Sequence, residues 1–136
     1  MRDLNHGRPR AYIVHEGKLV RLTRDHTVGA RLVEDGSHGA GDLLVVELRG
    51  LLLQALGSRE AECNPEVFYF VIGKDDQLLL CTDGLTDMVD DVDIELVLNS
   101  ARSAKSACRS LVDLALRNGE KDNVTVIVAR YSIPPQ

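Results

Sequence analysis

The chain has 136 residues, enough for one domain with a core of its own, and 44% hydrophobic with 27% charged residues is a globular rather than a disordered composition. A net charge of -5 argues against nucleic acid as a partner and leaves metal ions or basic partners open. No apolar run has signal-peptide character or spans a bilayer without charges, so no membrane role is expected and the chain is placed in the cytoplasm.

Taken in order, Arg10 to His15 and Lys18 to Thr23 flank Glu16-Gly17, a two-residue hairpin signal. That turn sets Ile13 opposite Val20 and Ala11 opposite Leu22 on one face, with Val14 and Leu19 on the other. Thr27 to Asp35 is expected to be a short helix carrying Val28, Leu32 and Val33 inward. Asp35 to Gly41 is glycine-rich, but no Gly-Lys-Ser/Thr follows it, so it reads as a mobile linker and not a phosphate loop. Asp42 to Leu56 fits either period. Asp42 as a cap favours a helix, Val45-Val46 favours a strand, and helix is the preferred reading.

Val67 to Ile72, with two phenylalanines and a tyrosine, predicts a strand. Gly73 to Asp76 is expected to turn it into a second hairpin with a strand over Gln77 to Thr82. Thr86 is expected to cap a helix beginning near Asp87, and Asp90-Asp91-Val92-Asp93 places negative charge at a helix start, where the helix dipole favours it. Ser103 to Arg117 is an amphipathic helix with Asn118-Gly119 as its stop, and Val124 to Tyr131 is the last strand. Cys63, Cys81 and Cys108 are odd in number and lack CxxC spacing, which reads as reduced thiols, with Cys81 buried in its strand.

The chemistry is concentrated after Leu78-Leu79-Leu80-Cys81-Thr82. A buried strand that ends in Asp83-Gly84 delivers a carboxylate to the rim of a sheet, where a rigid support suits a hard divalent ion. Asp-Gly is also ordinary turn chemistry, and both readings stand at this point. Asp122 lies just before the last strand, so it and Asp83 converge if their strands are neighbours. Asn123 beside it is equally compatible with a plain turn.

Arg10-Ala11-Tyr12, Gly17-Lys18-Leu19, Leu22 to His26, Ala55-Leu56-Gly57, Leu79 to Asp87 and Asp122 to Val128 occur in an order that resembles the protein phosphatase 2C family in its bacterial serine/threonine phosphatase form. The resemblance implies an α+β fold, two stacked antiparallel sheets with helices outside, of which this single domain (1–136) is a partial α-β-β-α sandwich lacking the N-terminal strands. It implies hydrolysis of phosphoserine or phosphothreonine by a water activated by two magnesium or manganese ions, once the missing part completes the domain. Asp83 and Asp122 match the metal-binding aspartates of the family's C-terminal half, and Asp87 matches a supporting acidic position.

The family usually reads Gly-Asp-Ser-Arg where this chain has Gly7-Arg8-Pro9-Arg10, so a cation stands in place of an acid. Arg8 is expected to pair with Asp83, a guanidinium replacing the charge of a lost metal. With the bridging ligand absent, weak metal binding and poor catalysis by the isolated chain are expected. The alternative is an inactive pseudophosphatase serving as a binding or regulatory module. The expected partners are a phosphoprotein or a chain supplying the missing strands. A homodimer through the leucine-rich stretch from Leu43 to Leu56 is expected to cover exposed apolar surface.

Overall fold

The structure, a computed structural model, describes residues 9–25, 28–43, 67, 69–119 and 123–132. Residue contacts divide the chain into two compact units, Met1–Arg8 with Asp25–Tyr69, and Pro9–Arg24 with Phe70–Gln136.

In the first unit, helix α1 spans Val28–Glu34. Leu32 is half-buried, whereas Val33, expected to face inward, is exposed. Gly36 adopts φ 71°, and its N–H donates to the Val33 carbonyl at 3.1 Å, so the glycine closes the helix where a side chain would be strained. The His38 ring bonds Asp42 at 2.8 Å. The helix-or-strand alternative for Asp42 to Leu56, and the dimer contact assigned to the same leucines, lie outside the described residues beyond Leu43.

The second unit holds a four-stranded antiparallel sheet in the order β2-β1-β3-β4, from β1 (Arg10–His15), β2 (Lys18–Arg21), β3 (Gln77–Cys81) and β4 (Val126–Arg130). The first hairpin has the expected register, with Ile13 opposite Val20 and Val14 opposite Leu19. Glu16 and Gly17 take φ 49° and 76°, the pair of positive values a twisted two-residue turn requires. The β1–β2 ladder stops at Arg21 because the Thr23 hydroxyl, at 3.0 Å, accepts the Ala11 N–H.

The second hairpin does not form. A strand has two edges, and those of β3 are taken by β1 (Tyr12 opposite Leu79) and β4 (Leu79 opposite Val128), so no edge is left for Val67 to Ile72. Residues 67 and 69–72 are not in a strand, and Tyr69 and Val71 are 95% and 91% exposed. The turn before β3 is held by Asp76, which accepts the Gly73 N–H at 2.7 Å and bonds the His15 ring at 2.9 Å. Backbone bonds between Tyr131 and Asp75 and Asp76 tie the same turn to the end of β4.

These bonds hold the buried Asp76 carboxyl below the ordinary carboxylate range, the Gly73 N–H first and His15 after it, although burial by itself pushes the other way. A depressed folded-state value stabilises the fold above the unfolded-state value and is lost as pH falls through the folded one. Asp76→Asn keeps an acceptor but loses the charge. Its melting temperature is expected to lie below wild type at pH 7, with the gap closing below about pH 4. Parallel melts across pH check this, and a gap that widens in acid would contradict it.

Three helices follow β3: α2 (Asp83–Thr86), α3 (Asp91–Ser100) and α4 (Ala104–Arg117). The expected Thr86 cap is replaced by an earlier start, because α2 begins at Asp83 directly off the strand and Thr86 ends it, its hydroxyl buried without a hydrogen-bond partner among the described residues. Asp90 is the N-cap of α3, as its carboxylate cluster suggested. Ser103 and Ser106 exchange 3.0 Å bonds in a capping box before α4 that contributes about 1 kcal/mol. At the far end of α3, Arg130 donates to the carbonyls of Ala101 (2.6 Å) and Leu98 (3.3 Å), placing a cation on the negative end of the helix dipole.

The inner face of the sheet contributes Tyr12, Val14, Leu79 and Cys81 to a core closed by Leu85, Val89, Ile94, Leu98, Ala107, Leu111 and Ala115. The outer face carries Ala11, Ile13, Val20, Leu78, Leu80, Ile127 and Ala129, which follows from the alternation of the strands. No helix among the described residues is long and apolar enough to cross a membrane.

Candidate metal-binding site

Asp83 sits two residues beyond the last rung of β3, half-buried, at the first position of α2. Its position is fixed from both sides. Thr82 N–H donates to the Thr125 carbonyl at 3.0 Å, and Thr125 N–H donates back to Thr82 Oγ1 at 3.0 Å. This reciprocal bond extends the Cys81–Val126 pairing past the end of the sheet, and it occupies the hydroxyl that would otherwise cap α2.

One residue further, Gly84 packs against the backbone of Asn123, so closely that a Cβ there would collide with the Asn123 carbonyl oxygen. Only glycine permits this approach, and it brings the two connections that carry Asp83 and Asn123 into contact. Asp122, which Asn123 follows in sequence, lies outside the described residues, as does Arg8, and with it the proposed Arg8–Asp83 pair.

Asp87 is the C-cap of α2. It is exposed, and its N–H donates to the Asp83 carbonyl at 2.8 Å, which steadies the turn behind Asp83. The elements that position this end, Thr82, Thr125 and the Gly84–Asn123 contact, were not singled out from sequence. Their signal was a threonine immediately before one candidate aspartate and another shortly after the second.

Behind the site, Tyr12 lies fully buried with its hydroxyl donating to Asp91 Oδ1 at 3.3 Å and accepting from Arg10 at 3.4 Å, which joins β1 to the start of α3. Burial is the main cause that raises the Tyr12 pKa, and it pushes the Cys81 thiol up to about 11, so this sulfur is a core atom and not a nucleophile. Among the described residues no group of three or more His, Cys, Asp or Glu side chains could enclose a metal. Asp83 fits a hard divalent ion in donor type and rigidity, as one ligand of a larger set.

No protein-family model matches the chain. The serine/threonine protein phosphatase PstP of Mycobacterium tuberculosis is 38% identical over 123 residues, which is 90% of this chain and 23% of the relative. The serine/threonine phosphatase stp of Listeria welshimeri is 32% identical over 129 residues, 95% of this chain and 51% of the relative. Among solved structures, the mycobacterial phosphatase superposes with a TM-score of 0.81 at 33% identity, covering 93% of this chain and 53% of that one. The catalytic domain of a serine/threonine protein phosphatase PstP in complex with two manganese ions matches with a TM-score of 0.74 at 35% identity, covering 94% of this chain and 52% of that one. The chain thus spans about half the length of these solved structures and of the listerial relative, and less of the mycobacterial protein.

Proposed function

Because the chain belongs, by the part that matches, to the protein phosphatase 2C family, we propose that it forms the C-terminal part of a metal-dependent phosphoserine/phosphothreonine phosphatase domain. The observation that carries this reading is the convergence at one end of the sheet, where Gly84 lies against Asn123 and so brings together the two connections next to the candidate ligands. Asp83 and Asp122 are the residues that would hold magnesium or manganese. When bound, a pair of such ions supplies a water nucleophile at neutral pH and charge neutralisation on phosphate.

This chain's own contribution is to fix the Asp83 oxygens on a strand end that the Thr82–Thr125 bonds keep from fraying, with Asp87 steadying the turn behind it. An octahedral ion needs more oxygen donors than two aspartates provide, so the partner called for is the remainder of the domain, in the same polypeptide or another. A phosphoprotein is the substrate. Self-association is the competing arrangement, which sedimentation of the purified chain separates from a monomer. Free Cys81 and Cys108 accord with a reducing cytoplasm. No observation favours a purely non-catalytic binding module.

The test is manganese-dependent hydrolysis of p-nitrophenyl phosphate by a fusion of this chain to the part of the mycobacterial catalytic domain that it does not match. Asp83→Ala is expected to lower the rate by more than about 100-fold, since loss of even an outer-shell partner of a metal ligand costs 10- to 100-fold. The unfused chain is expected to be inactive. Hydrolysis that survives Asp83→Ala would remove Asp83 from the site and the reading with it.

A further inference from the structure

On the core side of the sheet, α3 and α4 form a layer whose two ends are fixed by hydrogen bonds. The start of α3 lies towards Asp83, because Asp91 accepts from Tyr12, whose hydroxyl also meets Arg10, and Arg10 stands opposite Cys81. The end of α4 returns there, with Asn118 Nδ2 donating to the Met88 carbonyl at 2.8 Å. The end of α3 and the start of α4 lie at the other end of the sheet. There Gln77 Nε2 donates to the Leu98 carbonyl at 3.1 Å and Arg130 to that of Ala101.

The sides of the two helices that face away from the sheet combine apolar residues with a charge separation. Ile94 and Leu98 point α3 into the core, so Val92 and Leu96, one turn apart, stand on its opposite side, 78% and 65% exposed. Ala107, Leu111 and Ala115 are the buried side of α4, and Lys105, Arg109 and the half-exposed Leu116 fall on the other. The start of α3 carries Asp90, Asp91 and Asp93, and the helix contains no base. The start of α4 carries Arg102, Lys105 and Arg109, with no acid before Asp113. All six charged groups are exposed, and no ion pair among the described residues joins the two sets. Arg117, at the acidic end, is turned back on its own helix, its Nε donating to the Asp113 carbonyl at 3.4 Å.

We propose that this helix face is a self-complementary contact that takes one occupant, a second copy of the chain turned end for end. Opposite charges at opposite ends of one layer are separated by about 15 Å, the length of α3, and do not neutralise each other within a chain. A two-fold axis lying in the contact plane sets the acidic end of each copy over the basic end of the other. The same rotation brings the exposed Val92 and Leu96 of both copies together at the centre, an isologous arrangement. A partner of a single charge would satisfy one end and be repelled by the other. The surface is distinct from the leucine-rich stretch expected from sequence to join two chains. It lies on the opposite side of the sheet from the apolar outer face, and it stands whether or not the chain is part of a phosphatase. Helices of 10 and 14 residues present on the order of 400 Å², below the roughly 800 Å² per partner of a permanent complex. The dimer is therefore weak and salt-sensitive, with a dissociation constant on the order of 100 μM at low salt.

Sedimentation equilibrium of the purified chain tests this. A dimer is expected to form with rising concentration at about 20 mM salt and to weaken at least 10-fold at about 300 mM. Lys105→Glu with Arg109→Glu makes both ends acidic, and Asp90→Lys with Asp93→Lys makes both ends basic. Each double variant is expected to be monomeric alone, and an equimolar mixture of the two is expected to associate again. Each reversal moves the net charge of -5 by four units, in opposite directions, so both variants stay negative and overall attraction cannot explain the mixture. Leu96→Asp, at an exposed position, is expected to raise the dissociation constant at least 10-fold with unchanged circular dichroism, and it decides the matter if a double variant fails to fold. A wild-type chain that stays monomeric up to about 1 mM, well above the expected constant, overturns the proposal. So do reversed variants that still dimerise, since another face would then hold the copies, a mixture that stays monomeric, or a Leu96→Asp chain that dimerises like wild type.

Discussion

Gly84→Ala is expected to lower the melting temperature by roughly 10 °C, the effect of about 3 kcal/mol in a domain of this size. The added methyl would meet the carbonyl oxygen of Asn123, which is backbone and has no rotamer through which to retreat. Relief requires either α2 to lift from the end of β3 or the connection before β4 to shift outward. Either movement strains the reciprocal Thr82–Thr125 bonds and separates the connections that hold Asp83 and Asn123. In the fusion, the same substitution is therefore expected to remove manganese-dependent hydrolysis although no candidate ligand has been changed. Gly41→Ala is the control, because a Cβ there meets nothing within 4 Å among the described residues, and its melt is expected to match wild type. If Gly84→Ala melts with wild type, the convergence that supports the functional reading is gone.

The second large effect contrasts two adjacent leucines of β3. Leu79 is fully buried between Tyr12 and Val128 under the helices, and Leu79→Ala is expected to cost about 2–5 kcal/mol through lost transfer energy and the cavity left behind. Leu80 points to the other face, so Leu80→Ala in the isolated chain is expected to cost under about 1 kcal/mol. Urea denaturation of the two variants measures the difference directly. Equal losses would mean that the outer face is already covered in the isolated chain.

The legible parts of the fold were those set by contacts close in sequence. The Glu16-Gly17 turn determines a two-residue hairpin and hence its register, since a one-residue slip would reverse every side chain. Ser103 and Asn118-Gly119 bracket α4 because caps act within one helical turn. The strand character of Leu78 to Cys81 and of Val126 to Val128 is likewise local, a matter of apolar and branched side chains.

Pairing was another matter. Val67 to Ile72 has strand composition, and the turn after it looks like a hairpin turn, but whether a strand forms depends on a free edge. Both edges of β3 went to segments distant in sequence. In the same way Thr86 looked like a cap, but α2 starts four residues earlier, directly after the Thr82–Thr125 bonds between residues 43 positions apart.

By itself, then, the sequence determined the local elements, the apolar alternation of the strands, the carboxylate at the end of β3 and a resemblance ordered along nearly the whole chain. Only the tertiary structure decided that β3 lies between β1 and β4, that Gly84 must be glycine because Asn123 lies against it, and that one face of the sheet is left apolar and exposed. The division has a physical cause. Turns, caps and periodicity are fixed by interactions within a few residues, whereas strand order and close backbone approach depend on which distant segments win a limited number of edges and contacts.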